Sequence, residues 1–105
     1  MVTVDGAVSK GGMYPVLGQI SLMQAIALAG GVDETTANPR RVAIFRTIDG
    51  KRQAAAFDLV SIRRGEMEDP QVFSGDIIIV DGSKIKETQQ IIFRSVPLLN
   101  IFRPF

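Results

Sequence analysis

Two groups of carboxylates are the residues of this chain whose types and spacing come nearest to catalytic chemistry. Asp33 and Glu34 are adjacent, and Glu66, Glu68 and Asp69 lie close together further along the chain. A pair of carboxylates can hydrolyse a glycosidic bond when one is held protonated and the other ionised. Both groups lie in polar stretches without the apolar neighbours that raise a carboxyl pKa. The sequence therefore favours solvated loop charges over a catalytic pair.

The composition removes most other catalytic chemistry. The 105 residues include no histidine and no cysteine. Disulfides, thiolate zinc sites and nucleophile–base pairs built on these residues are therefore excluded. The commonest general base near neutral pH is missing as well. We expect no catalysis, no metal and no cofactor.

A binding surface is the other chemistry to consider. The chain has one tyrosine, Tyr14, and no tryptophan. Sugar sites present aromatic faces and planar polar groups, so Tyr14 with Lys10 and Arg46 is a candidate lining for a glycan. The alternative is that Tyr14 packs on a sheet with its hydroxyl at the rim, which is the commoner arrangement for a tyrosine.

Length and charge narrow the class of protein. A chain of 105 residues predicts one domain with a core of its own. The net charge of +1 gives no electrostatic reason to expect nucleic acid or an anionic membrane as partner. The start has no apolar run of secretory length, so we expect either a cytosolic protein or a piece of a longer chain with Met1 supplied for expression.

The first element that positions the candidate lining is a hairpin. VTVDGAV alternates at period two, which predicts a strand with Val2, Val4 and Val8 on one face. The run SKGG predicts a turn that includes Gly11 and Gly12. Residues 13–16 can return as a second strand, which Pro15 restricts to an edge or ends.

A helix follows the hairpin. Ser21 and Gln24 have capping-box spacing, and Leu22 and Ile26 lie on the predicted buried face. The glycine pair 30–31 comes after the last apolar residue, where a helix needs a left-handed stop. A phosphate-binding glycine loop would instead precede the helix, because the free N–H groups lie at that end. The pair therefore predicts a helix stop.

The second half of the chain reads as a second hairpin and a late strand. Residues 33–39 predict a polar loop, and residues 42–45 predict a strand. Asp49-Gly50 predicts a two-residue turn into a strand over residues 51–59. Residues 61–70 are charged and turn-like, and are compatible with one helical turn.

The run IIIV at residues 77–80 is apolar on both faces and predicts a central strand. A tight turn at residues 72–76 leads into it. Asp76 is explained there without catalysis, as a turn side chain that accepts from nearby backbone N–H groups.

This order of elements predicts an α+β fold of two layers. One main helix packs on a mixed four- to five-stranded sheet, and the succession of hairpin, helix and late central strand indicates a β-grasp. We assign residues 2–82 to this domain and residues 83–105 to a C-terminal tail. The predicted turn glycines are Gly11, Gly12, Gly30, Gly31, Gly50 and Gly75.

The tail is unusually apolar for a chain end. Residues 83–96 predict an amphipathic helix that Pro97 ends, and the helix is too short to span a hydrocarbon core of ~30 Å. We expect the tail to be ordered against the domain's own sheet or, preferably, a neighbouring copy. The expected interface side chains are Phe93, Leu98, Leu99, Ile101, Phe102 and Phe105.

Several stretches together resemble a known family. VTVDGAVSKGGMYPV resembles the first hairpin of soluble-ligand-binding β-grasp domains, and SLMQAIALAGGV resembles their helix and its glycine stop. RVAIFR resembles their third strand, and VFSGDIIIV resembles the G-D-x-I-x-V strand that closes them. The resemblance covers about residues 2–81. Gly11 departs from it, because the family usually has proline there.

Among such domains, the chain most resembles those of bacterial polysaccharide export proteins of the outer membrane. The resemblance implies a ring-forming periplasmic protein that carries capsule or exopolysaccharide, contacts copies of itself and works with an inner-membrane export partner. The N-terminal export domain and lipoprotein signal of that family are absent from these residues. The module also occurs in respiratory-complex subunits and cobalamin-binding proteins, so it does not fix the ligand.

Three hypotheses follow. The first is a non-enzymatic module of a polysaccharide export channel, which binds other subunits and possesses a candidate glycan site. The second is a monomeric β-grasp domain that captures a small soluble ligand. The third, which the composition disfavours, is a carboxylate enzyme.

Overall fold

The structure is a computed structural model and describes residues 1–83. It contains a five-stranded mixed sheet and a small two-stranded sheet, with two short helices. This confirms the predicted α+β class and a β-grasp-like fold. The elements in chain order are β1 (Val2–Gly6), β2 (Gly12–Tyr14), β3 (Ile20–Ser21), α1 (Leu22–Leu28), β4 (Ala37–Ile48), β5 (Lys51–Phe57), α2 (Leu59–Arg63), β6 (Gln71–Val72) and β7 (Ile77–Gly82).

The large sheet has the strand order β2-β1-β7-β4-β5. The last strand, β7, lies at the centre, as its two-sided apolar sequence predicted. It runs parallel to β1, with Thr3 opposite Ile77, and antiparallel to β4, with Phe45 opposite Ile77. The Asp49-Gly50 turn joins β4 to β5 as a hairpin. The small sheet pairs β3 with β6.

The core lies between the large sheet and the helices. Alternate residues of the sheet face inwards, among them Val4, Ile44 and Ile78, all with no exposed surface. Leu22 and Ile26 of α1 pack into the same cluster, which confirms the predicted buried face of the helix. The opposite face of the sheet has a smaller cluster of its own, centred on Ala43 and Ile79.

Helix α1 begins and ends where the sequence indicated. Ser21 accepts from the Gln24 backbone N–H, and the Gln24 side chain accepts from the Ser21 N–H, so the capping box is complete. Gly30 and Gly31 have φ of 81° and 86°, the left-handed conformation that a helix stop requires. The Gly31 N–H donates to the carbonyl of Ile26 and closes the last turn.

Two expected boundaries are wrong. Residues 37–39 belong to β4 and not to a polar loop, because their side chains alternate between partly buried and exposed at the sheet's end. A register irregularity between Ala37 and Val42 separates this polar start from the apolar part of the strand. The strand predicted over residues 51–59 ends at Phe57, and Leu59 is the first residue of α2. Strand β2 is an edge strand that ends at Tyr14, before Pro15, as the sequence indicated. Strands β3 and β6 and the small sheet they form were not predicted.

The first turn also differs in detail. Gly11 and Gly12 are not among the glycines with positive φ, and Gly12 is the first residue of β2. The glycine that matters there is Gly6, with φ of 84°. A Cβ at Gly6 would lie 2.2 Å from the Val80 carbonyl oxygen, so only glycine fits beside β7. The chain turns at Gly6, and Val8 leaves the strand to bridge Val32.

The predicted C-terminal helix and apolar tail lie, from residue 84 onwards, outside the described residues. So do all six expected interface side chains: Phe93, Leu98, Leu99, Ile101, Phe102 and Phe105.

Candidate functional site

A buried ion pair lies at the end of the sheet where β7 begins. The Arg46 guanidinium donates to both oxygens of Asp76, from Nε to Oδ1 at 2.9 Å and from Nη2 to Oδ2 at 2.7 Å. The Asp76 side chain is 1% exposed and that of Arg46 is 16% exposed. Two parallel charge-assisted bonds satisfy the charges that burial would otherwise leave unsolvated.

Asp76 also holds the turn before β7. Its Oδ2 accepts from the backbone N–H of Phe73 at 2.9 Å, which confirms the prediction of a turn side chain bonded to nearby backbone. Gly75, with φ of 92°, allows the chain to reverse there. The Gly75 N–H donates to the Met1 carbonyl, so the turn is fixed to the start of β1 as well.

Phe73 lies on the guanidinium of Arg46. The guanidinium carbon is 4.4 Å from the centre of the Phe73 ring, a cation–π distance, and the residue remains 49% exposed. Arg46 Nη2 donates in addition to the Gln71 carbonyl. The ring is therefore backed by a positioned cation and still presents a large area to solvent.

Two glutamine side chains accompany this ring. The Gln71 amide nitrogen donates to Gln19 Oε1 at 3.2 Å, and both residues are exposed. Val72, between Gln71 and Phe73, is buried, so Gln71 and Phe73 point to the solvent side. Gln19 lies one residue before β3, the partner of β6. We call the exposed side chains of Phe73, Gln19 and Gln71 the Phe73 surface.

The three residues of the predicted glycan lining are placed on two separate strands and one turn. The Tyr14 hydroxyl donates to the backbone carbonyl of Lys10, and the ring packs against the core. The Lys10 side chain is exposed. Strands β1 and β7 separate Tyr14 on β2 from Arg46 on β4, a distance of about 14 Å at ~4.8 Å per strand. Arg46 contributes to the Phe73 surface from beneath, as an ion-paired support.

The sequence pattern did not single out Phe73, Gln19 or Gln71. Phe73 was assigned to a tight turn, and the amides were too far apart in sequence to be associated. The signal that could have found them is the alternation Gln71, Val72, Phe73, with a polar and an aromatic residue on either side of an apolar one.

Two of the five carboxylates considered as possible catalysts, Asp33 and Asp69, hold backbone in place. Asp33 accepts from the Thr35 N–H at 3.1 Å and from the Thr35 hydroxyl at 2.7 Å. Asp69 accepts from the Met23 N–H at 3.1 Å in the first turn of α1. Glu34, Glu66 and Glu68 are exposed. Within residues 1–83, no group of three or more acidic side chains is arranged to hold a metal ion.

Asp58 is a buried carboxylate that caps α2. Burial alone would raise its pKa, but hydrogen bonds from the Ser61 and Val60 backbone N–H groups and the charge of Arg40 outweigh burial and lower the pKa below its ordinary value. A carboxylate that stays ionised because it caps a helix has a structural role.

Neither helix within residues 1–83 has the length and apolar character needed to cross a membrane. A comparison with curated proteins finds no match. A comparison with protein families matches residues 1–56 to the SLBB domain. The match includes strands β1 to β4 and all but the last residue of β5. The described structure continues with α2, β6 and β7, and β7 completes the five-stranded sheet. The chain thus belongs to the SLBB domain family, whose members are soluble-ligand-binding β-grasp modules.

Proposed function

We propose that this domain is a non-enzymatic module of a bacterial polysaccharide export channel, which contacts other subunits and binds the exported glycan. The observation that carries the proposal is the SLBB match over residues 1–56, together with a sheet that β7 completes at its centre. SLBB modules bind ligands, and the sequence resembles those of polysaccharide export proteins. The protein would then lie in the periplasm at the outer membrane and act with an inner-membrane export partner.

The surface chemistry of the described residues supports a binding role. The ion-paired residues Arg46 and Asp76 hold a half-exposed aromatic ring in place, with amide groups beside it. The acidic side chains of residues 33–34 and 66–69 are exposed or bonded to backbone. The aromatic ring and the amides are groups that can bind and position a ligand. None of these acidic side chains is held in the apolar pocket that a general acid needs.

Self-association tests the proposal directly. Analytical ultracentrifugation of the protein over a range of concentrations should detect a ring-sized or ring-fragment assembly. In the bacterium of origin, removing residues 2–82 from the gene should stop polysaccharide from reaching the surface, while polymer synthesis continues. A strictly monomeric protein whose removal leaves surface polysaccharide unchanged would contradict the proposal.

The second candidate is a monomeric β-grasp domain that captures a small soluble ligand. The family match favours it equally at the level of the module. It predicts a monomer at every concentration and saturable binding of a small molecule, which ultracentrifugation and calorimetry distinguish from the channel module.

A further inference from the structure

We propose that the Phe73 surface binds one neutral sugar ring, which stacks on Phe73 and forms hydrogen bonds with Gln19 and Gln71. This inference rests on the proposed function, since it gives the glycan-binding role a site and a ligand class. It places the site on the small sheet and not at Tyr14 and Lys10.

The ring of Phe73 is held in place before any ligand arrives. Its backbone N–H is bonded to Asp76, and the Arg46 guanidinium lies 4.4 Å from its centre. Arg46 is itself fixed by two bonds to Asp76. A side chain held in this way loses little conformational entropy on binding, so more of the contact energy appears as affinity. With 49% of Phe73 exposed, the ring has room for the apolar C–H face of a pyranose.

The amide pair supplies the polar half of the site. One amide hydrogen of Gln71 and one lone pair of Gln19 are used in the 3.2 Å bond between them. An amide has two N–H donors and two acceptor lone pairs, so the Gln19 nitrogen and the Gln71 oxygen remain available to a ligand. If the oxygen and nitrogen of both amides are exchanged, one donor nitrogen and one acceptor oxygen are still available. A donor and an acceptor side by side match two neighbouring sugar hydroxyls.

The charges indicate a neutral sugar. Phe73, Gln19 and Gln71 carry no charge, and the positive charge beneath the ring is neutralised by the Asp76 carboxylate. An acidic sugar would need an unneutralised Arg or Lys to offset the loss of its hydration. The site therefore discriminates by stacking and hydroxyl geometry and does not select for carboxylates.

A protein partner would use the surface differently. Protein interfaces cover about 800 Å² per partner and bury their exposed apolar anchors. Leu17, two residues before Gln19, is 92% exposed and would be such an anchor. A single sugar ring needs no more than the aromatic face and the two amides. The effect of substituting Leu17 therefore distinguishes a protein partner from a sugar.

Titration of the full chain with neutral and acidic oligosaccharides tests the inference. The probes are hexamers of glucose, mannose and galactose and a hexamer of galacturonic acid, with binding followed by amide chemical shifts in NMR spectra. We expect at least one neutral hexamer to shift the amides of residues 19, 71 and 73. Phe73→Ala should weaken that binding about tenfold or more, and Gln71→Ala by less. Phe73→Tyr should retain it, and Leu17→Ser should leave it unchanged.

Four results would overturn the inference. These are binding of the acidic hexamer alone, no binding by any neutral hexamer, full binding by folded Phe73→Ala, or loss of self-association in both Phe73→Ala and Leu17→Ser. The last result would assign the surface to a protein contact. If Phe73→Ala does not fold, loss of the shifts in Gln19→Ala and Gln71→Ala supports the site, and unchanged shifts refute it. If no neutral hexamer binds but the protein still assembles and exports polysaccharide, this inference fails while the proposed function stands.

Discussion

At the scale of single residues, the pairing of Arg46 with Asp76 joins parts of the chain that are 30 positions apart. The sequence shows an arginine in a strand and an aspartate in a turn, and nothing in their spacing predicts that they meet. The strand register brings them together, because Phe45 lies opposite Ile77. Their burial means that each charge depends on the other for stabilisation.

Arg46→Gln should therefore be costly. The variant leaves the Asp76 carboxylate buried without its partner, and we expect a loss of about 3–5 kcal/mol in the free energy of unfolding. Arg40→Gln is the matched control, because the Arg40 side chain is 54% exposed in its pair with Asp58. That control should cost about 1 kcal/mol or less. Urea denaturation measures both, and equal losses would contradict the assignment.

The ionised Asp58 side chain should make a contribution to stability that is lost in acid. Its folded-state pKa is lowered, so the unfolded chain takes up this proton first as the pH falls. The contribution is complete above the unfolded pKa of about 3.9 and is lost as the pH falls through the folded value. Asp58→Asn keeps a good helix cap but cannot titrate. Between pH 7 and pH 2.5, the unfolding temperature should fall less in the variant than in the unchanged protein. Equal falls in the two proteins would refute the prediction.

Gly6 can be tested against another glycine of similar conformation. Gly6 and Gly18 have φ of 84° and 77°, but a Cβ at Gly18 would meet nothing within 4 Å. Gly18→Ala should cost about 1–2 kcal/mol from backbone strain alone. Gly6→Ala adds a clash with the Val80 carbonyl and should cost about 1–3 kcal/mol more. Chemical denaturation measures the free energy of unfolding of both variants. A Gly6→Ala variant as stable as Gly18→Ala would refute the close approach of Gly6 to the Val80 carbonyl.

At the scale of elements, helix α1 is the part that the sequence predicts best. Its signals are local, since the capping box and the glycine stop need only a few residues to be read. Strand β7 was equally clear because it is apolar on both faces. The polar start of β4 and the two-residue strands β3 and β6 were missed, because their pairing depends on distant partners and leaves little local pattern. The Phe73 surface depends on those same strands and was missed for the same reason.

The buried face of α1 gives a direct test of the packing. Ile26 is 3% exposed and contacts the core between the helix and the sheet. Ile26→Ala should lower the free energy of unfolding by about 2–5 kcal/mol. Leu28→Ala is the control on the same helix, because Leu28 is 48% exposed and should matter much less. A loss under about half a kilocalorie at Ile26, below the usual range for core truncation, would mean that the helix face is misassigned.

At the scale of the whole molecule, the apolar tail is the feature to test. Burying its six large apolar side chains would be worth on the order of 10 kcal/mol before entropy is subtracted. We expect a chain ending at Gly82 to stay folded and to lose self-association, as shown by sedimentation and by thermal unfolding. Unfolding of the shortened chain would instead make the tail part of the core. If neither property changes and the tail amides of the full chain exchange freely, the prediction is wrong.

The parallel pairing of β1 with β7 also sets the order in which the chain can fold. Thr3 lies opposite Ile77, so one of the two neighbours of β1 in the sheet, β7, is synthesised last among the strands of residues 1–83. Pairing β1 with β7 closes a loop of most of the domain, and local contacts do not offset the entropy that this costs. Proteins dominated by such long-range pairings fold slowly. The hairpin of β4 and β5 can form early, while β1 must wait with one edge unpaired. While that edge of β1 is unpaired, β7 of another copy can pair with it. Exchange of β7 between copies during folding is therefore the misassembly that this topology favours.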